Sequence, residues 1–266
     1  MNAFEIRNLE CAYRDGNTVL KVPHLDIPYG SIIVFLGPSG VGKSTLLETL
    51  GLMNHTIKSG SVSFAKNAAD FLTLWDSDNE RIANVRNAHM SFIFQENNLL
   101  DNISALENAM MPLLIQGESA ESAKKIVLNW CVDLDLAFID ETTKVSELSV
   151  GQKQRLAFIR AASPTFTVLF GDEPTGNLDE KNGDVLMEAL KSKIKGSNDK
   201  MLSIIVSHDI DLAINYADQI VVLTKDTVRK GEIRKENIFS KQDSEWIFNG
   251  NEKPTGGIRE HIAQLL

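Results

Sequence analysis

Short apolar runs alternate with stretches of helical spacing along most of this chain. Residues 32–36, 167–170, 202–206 and 219–223 are nearly unbroken in Ile, Val, Leu and Phe, which predicts buried strands. Helices are predicted over residues 45–50, 152–162, 180–194 and about 211–216. Strands alternating with helices imply a mostly parallel, covered sheet, with ligands at the carboxyl ends of its strands. The N-terminal part reads differently. Phe4, Ile6 and Val19-Leu20-Lys21-Val22 predict short half-buried strands, punctuated by Asp15-Gly16-Asn17 and by a turn at Pro28-Tyr29-Gly30. Residues 60–64 alternate as another strand; residues 67–88 read as a loop with a charged helical turn; residues 88–94 return to strand character before Gln95. From Gln95 to about Ser146 the texture is helical. One helix covers 103–111 and stops near Pro112, with Met110 and Met111 as core filling. A second covers 120–134, with Ala123, Ile126, Val127, Trp130 and Cys131 three and four apart. The tail from Arg234 is polar, with Trp246, Ile247 and Phe248 as an isolated apolar cluster.

Composition narrows the classes. A chain of 266 residues, 43% hydrophobic and 24% charged, suits a globular protein with a large core. A net charge of −9 argues against a nucleic-acid partner and against electrostatic attachment to an anionic membrane. Two cysteines, Cys11 and Cys131, predict buried thiols in a reducing compartment rather than a disulfide framework. The N-terminus lacks a signal-peptide layout, and no apolar run approaches membrane-spanning length. Any membrane role is expected through a partner.

The chemistry starts at Gly37-Pro38-Ser39-Gly40-Val41-Gly42-Lys43-Ser44-Thr45, between a predicted strand and a predicted helix. That is the P-loop pattern. Its glycines let successive N–H groups point at phosphate oxygens, Lys43 reaches the β- and γ-phosphates, and Ser44 offers a hydroxyl to Mg²⁺. Asp172 and Glu173 end another apolar strand. If that strand neighbours the P-loop strand, Asp172 stands where Mg²⁺ needs a direct or second-sphere carboxylate, and Glu173 could orient or deprotonate the attacking water. Ser149 and Gln152 have capping-box spacing, so an ordinary helix start explains part of Leu148–Gln152; a second phosphate site is the other reading. One triphosphate hardly needs two such sites from one chain, which suggests a second subunit. A lone histidine is more often structural, yet His208 ends a strand where it could meet the γ-phosphate, and the Gln95 amide could touch Mg²⁺ or the water.

Taken together, these motifs resemble the ATP-binding cassette (ABC) ATPases over roughly residues 3–232. The matching pieces are 37–45 (Walker A), Gln95 (Q-loop), 148–152 (signature), 168–173 (Walker B with the catalytic glutamate), Gly176-Asn177-Leu178-Asp179 (D-loop) and His208 (H-loop). Within that family, residues 94–100 and 173–179 look like the lipoprotein-releasing and macrolide-exporter group, with the cell-division ATPase as neighbour. The resemblance implies an α/β fold: a P-loop NTPase core with a mostly parallel sheet, an N-terminal antiparallel β subdomain and an α-helical subdomain. It places the nucleotide-binding domain at residues 1–233, with the helical part at about 96–150, and leaves 234–266 as a C-terminal extension.

The resemblance also implies roles. Tyr13 would stack on adenine, and Gly37, Pro38, Ser39, Gly40, Val41, Gly42, Lys43, Ser44 and Thr45 would hold ATP. Ser149, Gly151, Gln152 and Asp179 would complete the nucleotide site of a second ATPase subunit in a head-to-tail homodimer. Ser44, Gln95 and Asp172 would attend Mg²⁺, with Glu173, His208 and Gln95 catalytic. An integral-membrane, permease-like partner would hold the chain on the cytoplasmic face, its coupling helix received near Met90, Phe92, Leu99 and Leu100. Val150 replaces the usual first glycine of the signature, at a position expected to need unusual backbone angles. The expected function is ATP hydrolysis that powers a membrane transport complex; ATP-driven signalling without transport uses the same residues. A DNA-repair ATPase would need coiled-coil insertions or a basic groove, and a small-molecule kinase would leave the signature and His208 without a role.

Overall fold

A computed structural model describes residues 1–13, 16–66, 70–198, 200–226, 230–248, 252–254 and 256–266. The turn expected at Asp15 lies outside them. Two strands open the chain, β1 (Asn2–Ala12) and β2 (Thr18–Pro28), both longer than the sequence pattern suggests. β3 (Ile32–Leu36) and α1 (Lys43–Leu50) flank the glycine loop, and β4 (Ile57–Phe64) returns to pair with β1.

The polar stretch expected as a loop contains two helices, α2 (Phe71–Trp75) and α3 (Asn79–His89). Asp70 and Asp78 cap them by accepting from Leu72 N and Arg81 N. Only Ile82 of α3 is buried, so no apolar stripe betrayed it. Ala88 and His89 end that helix, and the strand expected from residue 88 is β5 (Met90–Ile93). The helical region holds α4 (Ala105–Ile115) and α5 (Ala120–Asp133). Pro112 lies inside α4 instead of stopping it. A proline there forfeits one backbone bond, and the helix continues because Met110 and Leu113, on either side, are buried in the core.

Then come α6 (Val150–Ala162), β6 (Val168–Asp172), α7 (Glu180–Lys195), β7 (Leu202–Val206), α8 (Ile210–Tyr216) and β8 (Gln219–Val222). After β9 (Thr224–Lys225) and β10 (Gly231–Glu232), the tail adds β11 (Ile238–Gln242), β12 (Glu245–Phe248) and α9 (Ile258–Leu265).

The larger sheet runs β12-β11-β8-β3-β7-β6-β5, parallel from β8 to β5. The smaller runs β4-β1-β2-β10-β9 and is antiparallel except where β10 meets β2. β3 shows how the core divides. Ile32, Val34 and Leu36 face the helical layer, whereas Ile33 and Phe35 face α1 and the smaller sheet. Trp246 is not isolated. β11 pairs antiparallel with β8, setting Phe239 against Ile220, and Trp246, Phe239 and Ile262 join the main core beside Leu212 and Ala213. Both cysteines are buried and free; burial raises the Cys11 thiol and pushes that of Cys131 up to about 11.

Candidate active site

At the carboxyl ends of β3, β7 and β6 lies a cleft of about 600 Å³. β6 is not next to β3, as the simplest reading of the two motifs required; β7 lies between them. Register still brings their ends together, because Val206 pairs with Phe35 on one side and Asp172 on the other. The side chains emerging past those positions share one space.

The loop after β3 is shaped by close approaches. A Cβ on Gly37 would lie 2.7 Å from the Leu223 carbonyl, and Gly42 caps α1 in the left-handed region at φ 100°. No side chain caps α1, so its first N–H groups remain available to an anion. Lys43 is buried and donates to the carbonyls of Gly37 at 2.7 Å and Pro38 at 3.2 Å. Burial lowers its pKa, while Glu173 and Asp172 pull it back up. The Tyr13 and Thr45 hydroxyls are 2.9 Å apart, which fixes the half-exposed Tyr13 ring at the mouth.

Glu173 has left-handed backbone, φ 51°, uncommon for a residue with a Cβ. Its N–H bonds the Val206 carbonyl at 3.0 Å and Gly176 N–H bonds its own carbonyl, so both neighbours enforce the turn. Burial raises its carboxyl pKa first; His208 then lowers it, Asp172 raises it and Lys43 lowers it. Among the described residues, Glu173 Oε1 is buried and accepts no hydrogen bond, with His208 Nε2 in ion-pair range at 3.3 Å. A buried acceptor left open in a polar cleft suits an incoming water or hydroxyl. Ser44, Gln95 and Asp172 supply hydroxyl, amide and carboxylate oxygens, the hard donor set Mg²⁺ takes.

Tyr13, Ser39, Gly40, Gly42, Lys43, Ser44, Thr45, Gln95, Asp172, Glu173 and His208 all line this cleft. Gly37 and Pro38 serve through the carbonyls that hold Lys43, and Val41 is buried in the core. Val19, Gly176, Asn177 and Val206 also line it. Val19 and Val206 carried no chemical signal; Gly176 and Asn177 were visible only as part of the D-loop match.

Ser149, Gly151, Gln152 and Asp179 are not among the lining residues. Ser149 and Gln152 form a reciprocal capping box, at 2.8 Å from Ser149 N to Gln152 Oε1 and 3.3 Å from Gln152 N to Ser149 Oγ. Gly151 packs beside Leu178 and Asn177. Asp179 caps α7 by accepting from Asn182 N at 2.9 Å, and this bond leads the lowering of its pKa. Two expectations are corrected here. Val150 is an ordinary first residue of α6, 61% exposed and without positive φ, because a helix start asks only for αR angles. Of the expected docking residues only Leu100 is exposed; Met90 is buried, Leu99 packs partly buried on the core, and Phe92 stacks on Phe94 and Phe170.

The ABC transporter family profile matches residues 20–176. The lipoprotein-releasing system ATP-binding protein LolD of Zymomonas mobilis is 35% identical over 227 residues, covering 84% of this chain and 93% of the relative. MJ0796 of Methanocaldococcus jannaschii, an uncharacterised ABC transporter ATP-binding protein, is 31% identical over 87% of this chain and 95% of its own length. A dimeric, post-hydrolysis structure of MJ0796 bound to ADP and Pi superposes with TM-score 0.74 at 29% identity, covering 87% of this chain and 96% of that one. The structure of cbiO1 from Clostridium perfringens, part of the cbiONQ transporter complex, gives 0.72 at 25% identity, covering 88% and 87%.

Proposed function

This chain belongs to the ABC transporter family of ATP-binding subunits and is an ATPase, and on that premise we propose that its nucleotide site is completed by a second copy. One observation carries this. The cleft gathers Walker A, Gln95, Asp172, Glu173 and His208, while the Ser149–Gln152 helix start of the same chain stays outside it. A head-to-tail pair would bring the partner's Ser149–Gln152 N–H groups onto the γ-phosphate. The dimeric form of MJ0796 supports the reading.

Within such a site Lys43 and the α1 N-terminus bind the phosphates, and the Tyr13 ring faces the base. Ser44, Gln95 and Asp172 would hold Mg²⁺, which when bound neutralises charge developing on the phosphates. Glu173 takes the proton of a water whose oxygen bonds the γ-phosphorus, while the bond from that phosphorus to the β–γ bridging oxygen breaks and ADP leaves with it. His208 holds Glu173 and the γ-phosphate oxygen from the other side. Association becomes ATP-dependent, and closing and reopening drive a membrane-embedded, permease-like partner from its cytoplasmic face. Among the described residues no helix is long and apolar enough to cross a membrane.

Mixing two dead variants tests the shared site. Lys43→Ala and Gly151→Asp should each be inactive alone. Combined in equal amounts, they should recover about a quarter of wild-type turnover, since half the dimers are mixed and each carries one intact composite site. No recovery, with mixed dimers detected by mass, would refute the shared site.

The pH profile gives a second check. Glu173 must be ionised to accept a proton, and its carboxyl is raised by burial. The acid limb of kcat should therefore fall at a pH above the ~4.3 of an exposed glutamate. In a Glu173→Gln background the residual activity should lose that limb.

A further inference from the structure

The loop after Gln95 is gripped from the helix that begins at Ser149. Arg160, in the last turn of α6, donates from Nη2 to the Asn97 carbonyl at 2.5 Å and from Nη1 to the Asn98 carbonyl at 2.6 Å. Both asparagines are left-handed, at φ 47° and 48°, and directly follow Gln95 and Glu96. Successive left-handed residues with a Cβ persist only where surrounding structure enforces them. The Asn97 side chain does not hold the turn through its oxygen, since among the described residues the buried Oδ1 accepts no bond. Further along, buried Asn108 donates to the Leu100 carbonyl and accepts from Leu100 N, anchoring that end to α4. At the end nearest Gln95 the turn has its own backbone bonds, from Asn97 N to the Phe94 carbonyl and from Asn98 N to the Glu96 carbonyl, and Arg160 is the side chain that anchors it to α6.

The arrangement is specific to an arginine. Its planar fork meets two carbonyls at once, which a lysine ammonium does not reproduce. Among the described residues Arg160 makes no ion pair, so the two carbonyls are what compensate its partly buried charge. The Gln95 side chain, by contrast, is exposed in the cleft and makes no hydrogen bond among the described residues.

We propose that Arg160 is a positioning residue for Gln95: it sets where the Gln95 amide stands in the cleft and ties that placement to the Ser149–Gln152 end of the same helix. α6 spans the two points as a rod of about 16 Å. A shift of either end is thus felt at the other. This rests on the reading of Gln95 as a group that meets Mg²⁺ and the attacking water.

A double-mutant cycle on the full chain separates the two ideas. Wild type, Gln95→Ala, Arg160→Met and the double variant are compared by kcat and by the Mg²⁺ concentration for half-maximal binding of a fluorescent ATP. Gln95→Ala should lower kcat and raise the Mg²⁺ requirement. Arg160→Met should reproduce both, with kcat down about tenfold, and should add less than about twofold when Gln95 is already Ala. Arg160→Lys, which keeps the charge and one bond, should fall between and serves as the folded comparison if Arg160→Met does not fold. Equal losses in both backgrounds, or full activity in Arg160→Lys and Arg160→Met, would overturn the positioning role. A Gln95→Ala variant with wild-type kcat and Mg²⁺ requirement would instead remove Gln95 from the site, and the inference with it.

Discussion

Replacing Glu173 by Gln is expected to reduce ATP turnover about 10²- to 10⁴-fold, the range a positioned general base contributes. The amide keeps the size and polarity of the side chain but accepts no proton from water. Nothing else at that point substitutes well. Asp172 lies one residue earlier, at the end of β6, where the Mg²⁺ donors gather, and His208 reaches Glu173 itself. ATP should still bind, because Lys43 and the helix start are untouched. The closed dimer should then accumulate, visible as an ATP-dependent shift from one chain to two by light scattering. Turnover within tenfold of wild type would remove Glu173 from the base role. Loss of turnover without a dimer would keep the role but separate it from closure.

Replacing Lys43 by Ala should weaken ATP about 10- to 100-fold, the worth of about one hydrogen bond to a charged group. In the present structure Nζ is held by the Gly37 and Pro38 carbonyls, so the cation already stands inside the loop before a phosphate arrives. Burial lowers its pKa, and Glu173 and Asp172 offset part of that. The measurement is thermal: at one ATP concentration saturating for wild type, the rise in melting temperature should be clearly smaller in the variant, since ligand stabilisation grows with the logarithm of ligand concentration over Kd. An unchanged shift would dissociate Lys43 from nucleotide binding. Lys43→Met, which retains the apolar stem, separates lost packing from lost charge.

How much of this is legible in the sequence differs from element to element. β3 and β7 match their predicted spans residue for residue, because a nearly unbroken apolar run leaves few alternatives. α3 was missed because it buries one side chain and is held by an aspartate cap that reads equally well as loop. Pro112 misled because a local rule was outweighed by burial of the residues around it. In the cleft, each residue type with a chemical reason to be there was visible, whereas Val19 and Val206 were not, since an apolar wall has no chemical signature.

The sequence by itself determined the phosphate loop, the carboxylate pair, the Ser149–Gln152 cap and the family. Those features are local: they depend on residues a few positions apart, and their turn chemistry and periodicity act within one element. Only the tertiary structure decided that β7 separates β6 from β3, that the tail completes the sheet, and that Arg160 holds the turn after Gln95. Strand order and long-range contacts follow from how whole faces pack, and 62 residues separate Arg160 from the Asn98 carbonyl it binds. No local pattern records a partner that far away. The same physics leaves Ser149–Gln152 outside the cleft of its own chain.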